Sequence, residues 1–146
     1  MSLCLFFPLA FIAVADAAVQ YHAVIVGISD YEGTEYDLNY CDDDAWAVYD
    51  KLLESTAWAE TNMEQILDSS ATKTNIQAAV QRMASRADAD DVCLFYFSGH
   101  GSFATDTAPF DETDGYDECM CPYHLYTNQI LDDELYNWLN ALPTNQ

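Results

Sequence analysis

The chain has 146 residues, of which 51% are hydrophobic and 14% aromatic, so it is long enough to form one domain with an apolar core. It carries 25 Asp and Glu residues but only 4 Lys and Arg, which gives a formal net charge of -21 at pH 7. This charge argues against nucleic acid and anionic membranes as partners, because both would repel the protein. It is compatible with a solvated surface or with attraction of basic substrates and divalent cations.

The N-terminal residues have features of a signal peptide. Residues 3–14 form an apolar run, and the small residues Ala-Asp-Ala at 15–17 resemble a signal-peptidase site. A membrane-spanning helix is the poorer interpretation, because the run is short and contains Pro8. We therefore expect 1–18 to be a signal peptide and 19–146 to be the domain of a secreted or extracytoplasmic protein. It would have no membrane contact after processing, and a cytoplasmic location is the alternative.

Apolar patterning predicts alternating strands and helices in the rest of the chain. The β-branched run at 22–28 predicts a first strand, and apolar spacings of three and four predict a helix at 42–57. A weaker strand is predicted at 63–67 and a second helix at 72–86. The almost continuously apolar run at 91–97 predicts a strand that is covered on both faces.

The C-terminal part begins with a segment that has no apolar period. Residues 102–129 are dense in carboxylates and predict a long surface loop, whereas 130–142 predict a last helix that Pro143 ends. The order of elements predicts an α/β fold, with three α/β/α layers around a mostly parallel sheet. Because a crossover helix leads to a further parallel strand, we expect the domain to be incomplete at its C-terminus.

His100 is the strongest candidate for a catalytic residue. It lies in the sequence Ser98-Gly-His-Gly101, directly after the third predicted strand, and the carboxyl ends of parallel strands are where catalytic groups collect. The two glycines permit a tight loop, and an imidazole can act as general base near neutral pH. A turn that contains a histidine by chance is the alternative.

A histidine base needs a nucleophile, and the cysteines that would remain after signal removal are poor candidates for it. Cys93 lies within an apolar strand, and Cys41 precedes the first helix. Cys119 and Cys121 lie among carboxylates, which oppose formation of the thiolate. Four cysteines permit disulfides outside the cell without establishing a pairing.

Four ordered segments resemble motifs of one family, the caspase-like cysteine peptidases of metacaspase type. They cover the chain from about Tyr21 to Leu142 and comprise Leu38–Ala45, Tyr96–Gly101, Asp117–Pro122 and Ile130–Glu134. The resemblance implies a caspase-like fold and cysteine endopeptidase activity on protein or peptide substrates, without an organic cofactor. A legumain-like peptidase on the same fold fits these segments less well.

The resemblance also implies roles for individual residues. His100 would be the base, and Gly101 would donate its backbone N–H to the oxyanion. Asp44 and Ser98 match positions of the pocket for the residue before the scissile bond, where a carboxylate suits Arg or Lys. Asp44 as an N-cap or first-turn charge of the first helix is the equal alternative.

A calcium site is the remaining implication of the resemblance. Asp117, Asp132 and Asp133 match calcium-binding positions, and carboxylates are the ligands that this cation prefers. The acidic residues at 132–134 can at the same time stabilise the start of the last helix. A zinc site formed by Cys119, Cys121 and His124 is less favoured. The three residues are close together in the sequence for a structural zinc site, and no fourth ligand is evident.

The position of His100 bears on the missing nucleophile. In caspases the cysteine follows the histidine by about 50 residues, and only 46 residues follow His100. We therefore expect the nucleophile to lie beyond Gln146 and this chain alone to be inactive. The alternative from another functional class is a non-catalytic calcium-binding or interaction module with the same fold.

Overall fold

A computed structural model describes residues 18–107 and 109–143, so nearly all of the predicted signal peptide lies outside the described residues. No helix in these two ranges is long and apolar enough to cross a membrane. The strands are β1 Tyr21–Gly27, β2 Met63–Leu67, β3 Val92–Ser98, β4 Gly101–Thr105, β5 Tyr116–Met120 and β6 Ile130–Leu131. The helices are α1 Cys41–Leu53, α2 Lys73–Arg86 and α3 Asp132–Leu139.

The predicted parallel sheet is confirmed, with the strand order β2-β1-β3. The central strand pairs with β2 from Ala23 opposite Met63, and with β3 from Tyr21 opposite Val92 to Gly27 opposite Ser98. A strand that is buried on both faces favours apolar side chains on both, which explains the apolar run of β1 at 23–26. The buried His22 of the same strand contacts Asp91 Oδ2 at 3.1 Å. The carboxyl ends of β1 and β3 therefore meet at one edge of the sheet.

Helices cover both faces of this sheet, which confirms the expected three layers. Along β1, Ala23 and Ile25 belong to one apolar cluster with Ala45 of α1. Val24 and Val26 belong to a second cluster, on the face that packs against α2 and α3. This alternation follows from the two-residue period of a strand, and all four of these β1 side chains are buried.

The close contact between β1 and α1 depends on Gly27. A Cβ at this position would overlap the carbonyl oxygen of Cys41 and lie 2.6 Å from the Cβ of Ala45. Glycine therefore lets the first turn of α1 lie directly against the end of β1. Because Gly27 is paired with Ser98, this contact brings the N-terminus of α1 to the end of β3.

The prediction of a long surface loop at 102–129 was wrong. This part of the chain forms an antiparallel sheet of order β4-β5-β6, in which β4 and β5 pair from Gly101–Met120 to Thr105–Tyr116. The last helix begins at Asp132 rather than at 130, because the two preceding residues pair with β5 as β6.

Burial along β5 explains why the sequence did not reveal this sheet. Asp117 and Cys119 are buried, whereas the intervening Tyr116 and Glu118 are exposed. The strand has the expected two-residue period of burial, but a carboxylate occupies an inward position and an aromatic ring an outward one. A search for apolar alternation therefore finds no strand there.

Candidate active site

The His100 imidazole is oriented by a backbone carbonyl. Its Nε2 lies 2.8 Å from the carbonyl oxygen of Tyr36, in the connection between β1 and α1. A carbonyl can only accept a hydrogen bond, so Nε2 carries the proton and donates it. In the neutral imidazole the free lone pair is then on Nδ1. This tautomer can accept a proton from a nucleophile at Nδ1.

Tyr31 contacts both the backbone and the ring of His100. Its hydroxyl accepts the His100 N–H at 2.7 Å and donates to the carbonyl oxygen of Cys121 at 3.2 Å. The two rings lie with their centroids 4.9 Å apart at an angle of 53°. Burial raises the pKa of Tyr31 to about 12, so the phenol stays protonated and can both donate and accept.

The glycines beside His100 serve different purposes. A Cβ on Gly99 would lie 2.6 Å from the Tyr31 hydroxyl, so Gly99 is needed for that contact. A Cβ on Gly101 would meet only the Cys119 carbonyl at 3.6 Å.

The direction of the Gly101 N–H follows from the pairing of β4 with β5. The Cys121 N–H donates to the His100 carbonyl at 2.9 Å, and hydrogen-bonded and non-hydrogen-bonded pairs alternate along an antiparallel ladder. The next pair is therefore non-hydrogen-bonded, and the Gly101 N–H points to the open edge of β4, which has no paired strand among the described residues.

Asp44 and Ser98, which the sequence singled out together, do lie together. The Ser98 hydroxyl donates to Asp44 Oδ2 at 3.3 Å, at the end of β3 that leads to His100. Asp44 is exposed in the first turn of α1 and lines a surface groove with Val48 and Tyr96. The N-cap of α1 is Tyr40, without a side-chain capping bond, so Asp44 does not act as the N-cap.

The described cysteines have free thiols that are poorly suited to nucleophilic attack. Cys121 is buried and lines a small cavity beside His100, and Cys119 is buried on the inner face of β5. Burial raises the pKa of both thiols and that of Cys93, which disfavours the thiolate.

The alternative of a zinc site on β5 finds no support in the described residues. His124 Nδ1 contacts Glu32 Oε2 at 2.8 Å. In the part of the chain that the structure describes, Cys119, Cys121 and His124 do not form a group whose ligand atoms lie close together.

The three aspartates that the resemblance assigns to calcium lie in an acidic cluster at the inner face of β5 and the start of α3. Among the described residues, only Asp132 of the three belongs to a group whose carboxylate oxygens lie within 4.8 Å of one another, and its partners there are Glu112 and Glu118. Burial raises the pKa of Asp117, and the charges of Asp106, Asp132 and Asp111 raise it further. Burial also raises the pKa of Asp133, with Asp111 and Asp132 as the next causes. Asp106 and Asp111 are members of this cluster that sequence reasoning did not identify. Carboxylates are the ligands that calcium prefers, and a cation would relieve their mutual repulsion.

The fold and the histidine loop define a caspase-like protein, in which a parallel sheet presents an imidazole at the end of a strand. The chain matches the metacaspase family, peptidase C14 domain, over residues 21–146 and therefore belongs to this family.

Individual relatives agree with this membership. The chain is 31% identical over 126 residues to Metacaspase-4 of Arabidopsis thaliana, covering 83% of this chain and 29% of that protein. It is 33% identical over 136 residues to Metacaspase-1 of Plasmodium falciparum, covering 87% and 22%. A solved protein structure from Geobacter sulfurreducens, 26% identical, superposes with a TM-score of 0.70 over 85% of this chain and 46% of that one. The chain thus spans a third or less of these two curated relatives.

Proposed function

We propose that this protein is a cysteine endopeptidase in which His100 is the general base. The observation that carries the proposal is the hydrogen bond from His100 Nε2 to the Tyr36 carbonyl, which leaves the lone pair on Nδ1. Nδ1 would take the proton of the attacking thiol and later return it to the leaving amine. The Gly101 N–H, directed to the open edge of β4, would donate to the oxyanion of the tetrahedral intermediate.

We propose that the nucleophile comes from a strand added to the outer edge of β3. Within the described residues β3 has a neighbour on one side only, and most of its side chains are partly buried. Parallel strands end at the same edge of a sheet, so a strand paired there would end beside Ser98 and His100. A cysteine at its carboxyl end would then face the imidazole. The 146-residue chain alone would have no peptidase activity.

Specificity for Arg or Lys before the scissile bond is supported by the pairing of Ser98 with Asp44. The carboxylate of Asp44 is exposed in a groove that apolar side chains also line, which suits the long stem and charged end of a basic residue. Lys51, which lines the same groove, is paired with Glu54 at 2.6 Å and leaves Asp44 available.

We propose that Asp117, Asp132 and Asp133 contribute to a calcium site, since burial raises the pKa of Asp117 and Asp133 and the neighbouring carboxylates raise it further. Asp106 and Asp111 add to this charge. The ion would neutralise the cluster and stabilise the packing of α3 against β5, the strand whose continuation pairs with His100.

The experiment is an assay of the 146-residue chain and of a longer gene product on fluorogenic peptides ending in Arg, Lys or Asp. We expect cleavage after Arg and Lys by the longer product alone, a loss of more than about 100-fold for His100→Gln, and a lost preference for basic residues for Asp44→Asn. Asp50→Asn, an exposed aspartate at the other end of α1, is the matched control. Robust turnover by the short chain would refute the external nucleophile, and inactivity of the longer product would indicate a non-catalytic module.

A further inference from the structure

We propose that Tyr31 is a positioning residue for His100, because its hydroxyl replaces one hydrogen bond at the end of the β4–β5 ladder. The catalytic consequence of this inference rests on the proposed peptidase function, whereas the structural part does not.

His100 lies opposite Cys121, one position beyond the Gly101–Met120 pair. The Cys121 N–H donates to the His100 carbonyl at 2.9 Å. In a regular antiparallel pair the reverse bond, from the His100 N–H to the Cys121 carbonyl, would complete the exchange. Here the Tyr31 hydroxyl accepts from the His100 N–H and donates to the Cys121 carbonyl, so it bridges the two groups.

The bridge by the Tyr31 hydroxyl requires space beside Gly99. The Tyr31 hydroxyl lies where a Cβ on Gly99 would come within 2.6 Å of it, and that Cβ would also lie 3.0 Å from the ring of Phe97. Glycine at position 99 therefore gives the hydroxyl access to the backbone of His100. The Tyr31 ring at the same time packs against the imidazole at 4.9 Å. The backbone and the ring of His100 are thus held by one side chain.

Tyr31 is held in place by the loop that follows β1. The Tyr31 side chain is buried, with 2% exposure, and its own N–H donates to Asp37 Oδ1 at 3.1 Å. The same loop supplies the Tyr36 carbonyl that binds Nε2 of His100. A short segment after β1 therefore contacts the catalytic histidine at its N–H, at its ring face and at Nε2. We infer that this segment determines the direction of Nδ1.

The structural part is tested by NMR on the 146-residue chain. In the wild type, long-range ¹H–¹⁵N spectra should show His100 as the Nε2–H tautomer, with a slowly exchanging backbone amide. In Tyr31→Phe we expect exchange of that amide at least about tenfold faster, because its buried hydrogen-bond partner is lost. We also expect a mixture of tautomers, because a displaced His100 backbone would move Nε2 away from the Tyr36 carbonyl that fixes its proton. The control is Tyr21→Phe, at the opposite end of β1, which should leave both signals unchanged. An unaltered tautomer and exchange rate in Tyr31→Phe would overturn the inference.

A double-mutant cycle tests the contact with Gly99 separately. Gly99→Ala should lower the unfolding midpoint strongly in the wild-type background and less in Tyr31→Phe, because the phenylalanine lacks the atom that the new methyl group would meet first. Additive effects would show that the hydroxyl does not determine the need for glycine, and would count against the inference.

The catalytic consequence is tested in the longer gene product. Tyr31→Phe should lower kcat by about ten- to a hundredfold with KM unchanged, and should move the acidic limb of the pH profile of kcat/KM, because the imidazole is misdirected rather than removed. An unchanged kcat and pH profile would contradict the positioning role. If His100→Gln is as active as the wild type, the proposed peptidase function fails, while the NMR result still decides the structural part.

Discussion

At the scale of single residues, the ionisation of the Tyr31 phenol makes the free energy of unfolding depend on pH in the alkaline range. Its pKa is about 12 in the folded protein, because burial opposes ionisation, against about 10 in an unfolded chain. The folded state then holds a proton that the unfolded state has lost, so this contribution is complete below pH 10 and decreases as the pH rises to 12.

This gives a prediction for Tyr31→Phe. Between pH 10 and 12 the wild type should lose up to about 1.4 kcal/mol of unfolding free energy per pH unit more than the variant, since phenylalanine does not titrate. Guanidinium unfolding followed by circular dichroism at pH 8, 10 and 11.5 measures the difference. Tyr21→Phe is the control and should keep the wild-type slope. Parallel pH dependences of the wild type and Tyr31→Phe would contradict the prediction.

The residues of the site differ in how far the sequence could reveal them. His100, Ser98 and Asp44 stand in recognisable segments, and the parallel sheet brings Ser98 and Asp44 within 3.3 Å of each other. The group that binds Nε2 is a backbone carbonyl, which any residue at position 36 would supply, so no sequence pattern marks it. The sequence gives only a weak indication of Tyr31, which is that it follows β1 at the edge of the sheet where β3 also ends.

At the scale of elements, the contact between β1 and α1 connects stability with the specificity groove. Gly27→Ala would force a methyl group against the Cys41 carbonyl and the Cβ of Ala45, neither of which can rotate away. We expect a loss of about 1–3 kcal/mol of unfolding free energy, together with a shift of the first turn of α1. Because that turn carries Asp44, the preference for basic residues should weaken in the longer product.

The matched control for this substitution is Gly101→Ala, whose methyl group would have an ordinary contact of 3.6 Å. Its unfolding free energy should stay within about 0.5 kcal/mol of that of the wild type. Chemical denaturation of both variants is the measurement. Equal stabilities of Gly27→Ala and the wild type would show that α1 does not depend on this close approach.

The β4–β5 hairpin shows which elements sequence patterns miss. Prediction succeeded for β1, β2 and β3, whose inward positions are mostly apolar, with His22 of β1 as a buried polar exception. It failed for β5, because the inward Asp117 is a carboxylate and the outward Tyr116 an aromatic. A buried carboxylate needs a hydrogen-bond partner, and the Thr107 backbone provides one for Asp117, which is a contact that no sequence pattern marks.

The same hairpin gives the prediction for calcium. Binding would connect β5 with α3, so calcium should raise the thermal midpoint of the 146-residue chain in proportion to the logarithm of its concentration above Kd. Asp117→Asn and Asp132→Asn should each abolish this rise, whereas Asp50→Asn on α1 should keep it. Calorimetric titration measures the binding directly. Heats equal to those of buffer dilution would remove the calcium site.

At the scale of the whole molecule, two opposing features determine how the isolated chain behaves. The formal charge of -21 makes copies of the chain repel one another. All four Lys and Arg side chains are paired with Glu54, Glu134 or Glu64 of the same chain, which leaves them less available for contacts with carboxylates of another copy. Against it stands β3, whose outer edge has no paired strand among the described residues and whose first residue, Val92, is 41% exposed. An unpaired apolar edge favours association with another strand.

We therefore predict association of the 146-residue chain that depends on salt. The Debye length decreases from about 30 Å at 0.01 M to about 10 Å at 0.1 M ionic strength, so salt weakens the repulsion between copies while leaving the edge of β3 unchanged. Sedimentation velocity should show monomer in 10 mM NaCl and larger species in 300 mM NaCl at the same protein concentration.

Two substitutions of equal charge separate the edge from the overall charge. Val92→Lys adds a cation on β3, and Val19→Lys adds one before β1 at a residue of similar exposure. Both reduce the net negative charge equally, which alone would favour association. Because a lysine on an edge strand opposes pairing, Val92→Lys should associate less than the wild type in 300 mM NaCl, and Val19→Lys should associate at least as much. The same increase in both variants would assign the association to charge screening alone and exclude the edge of β3.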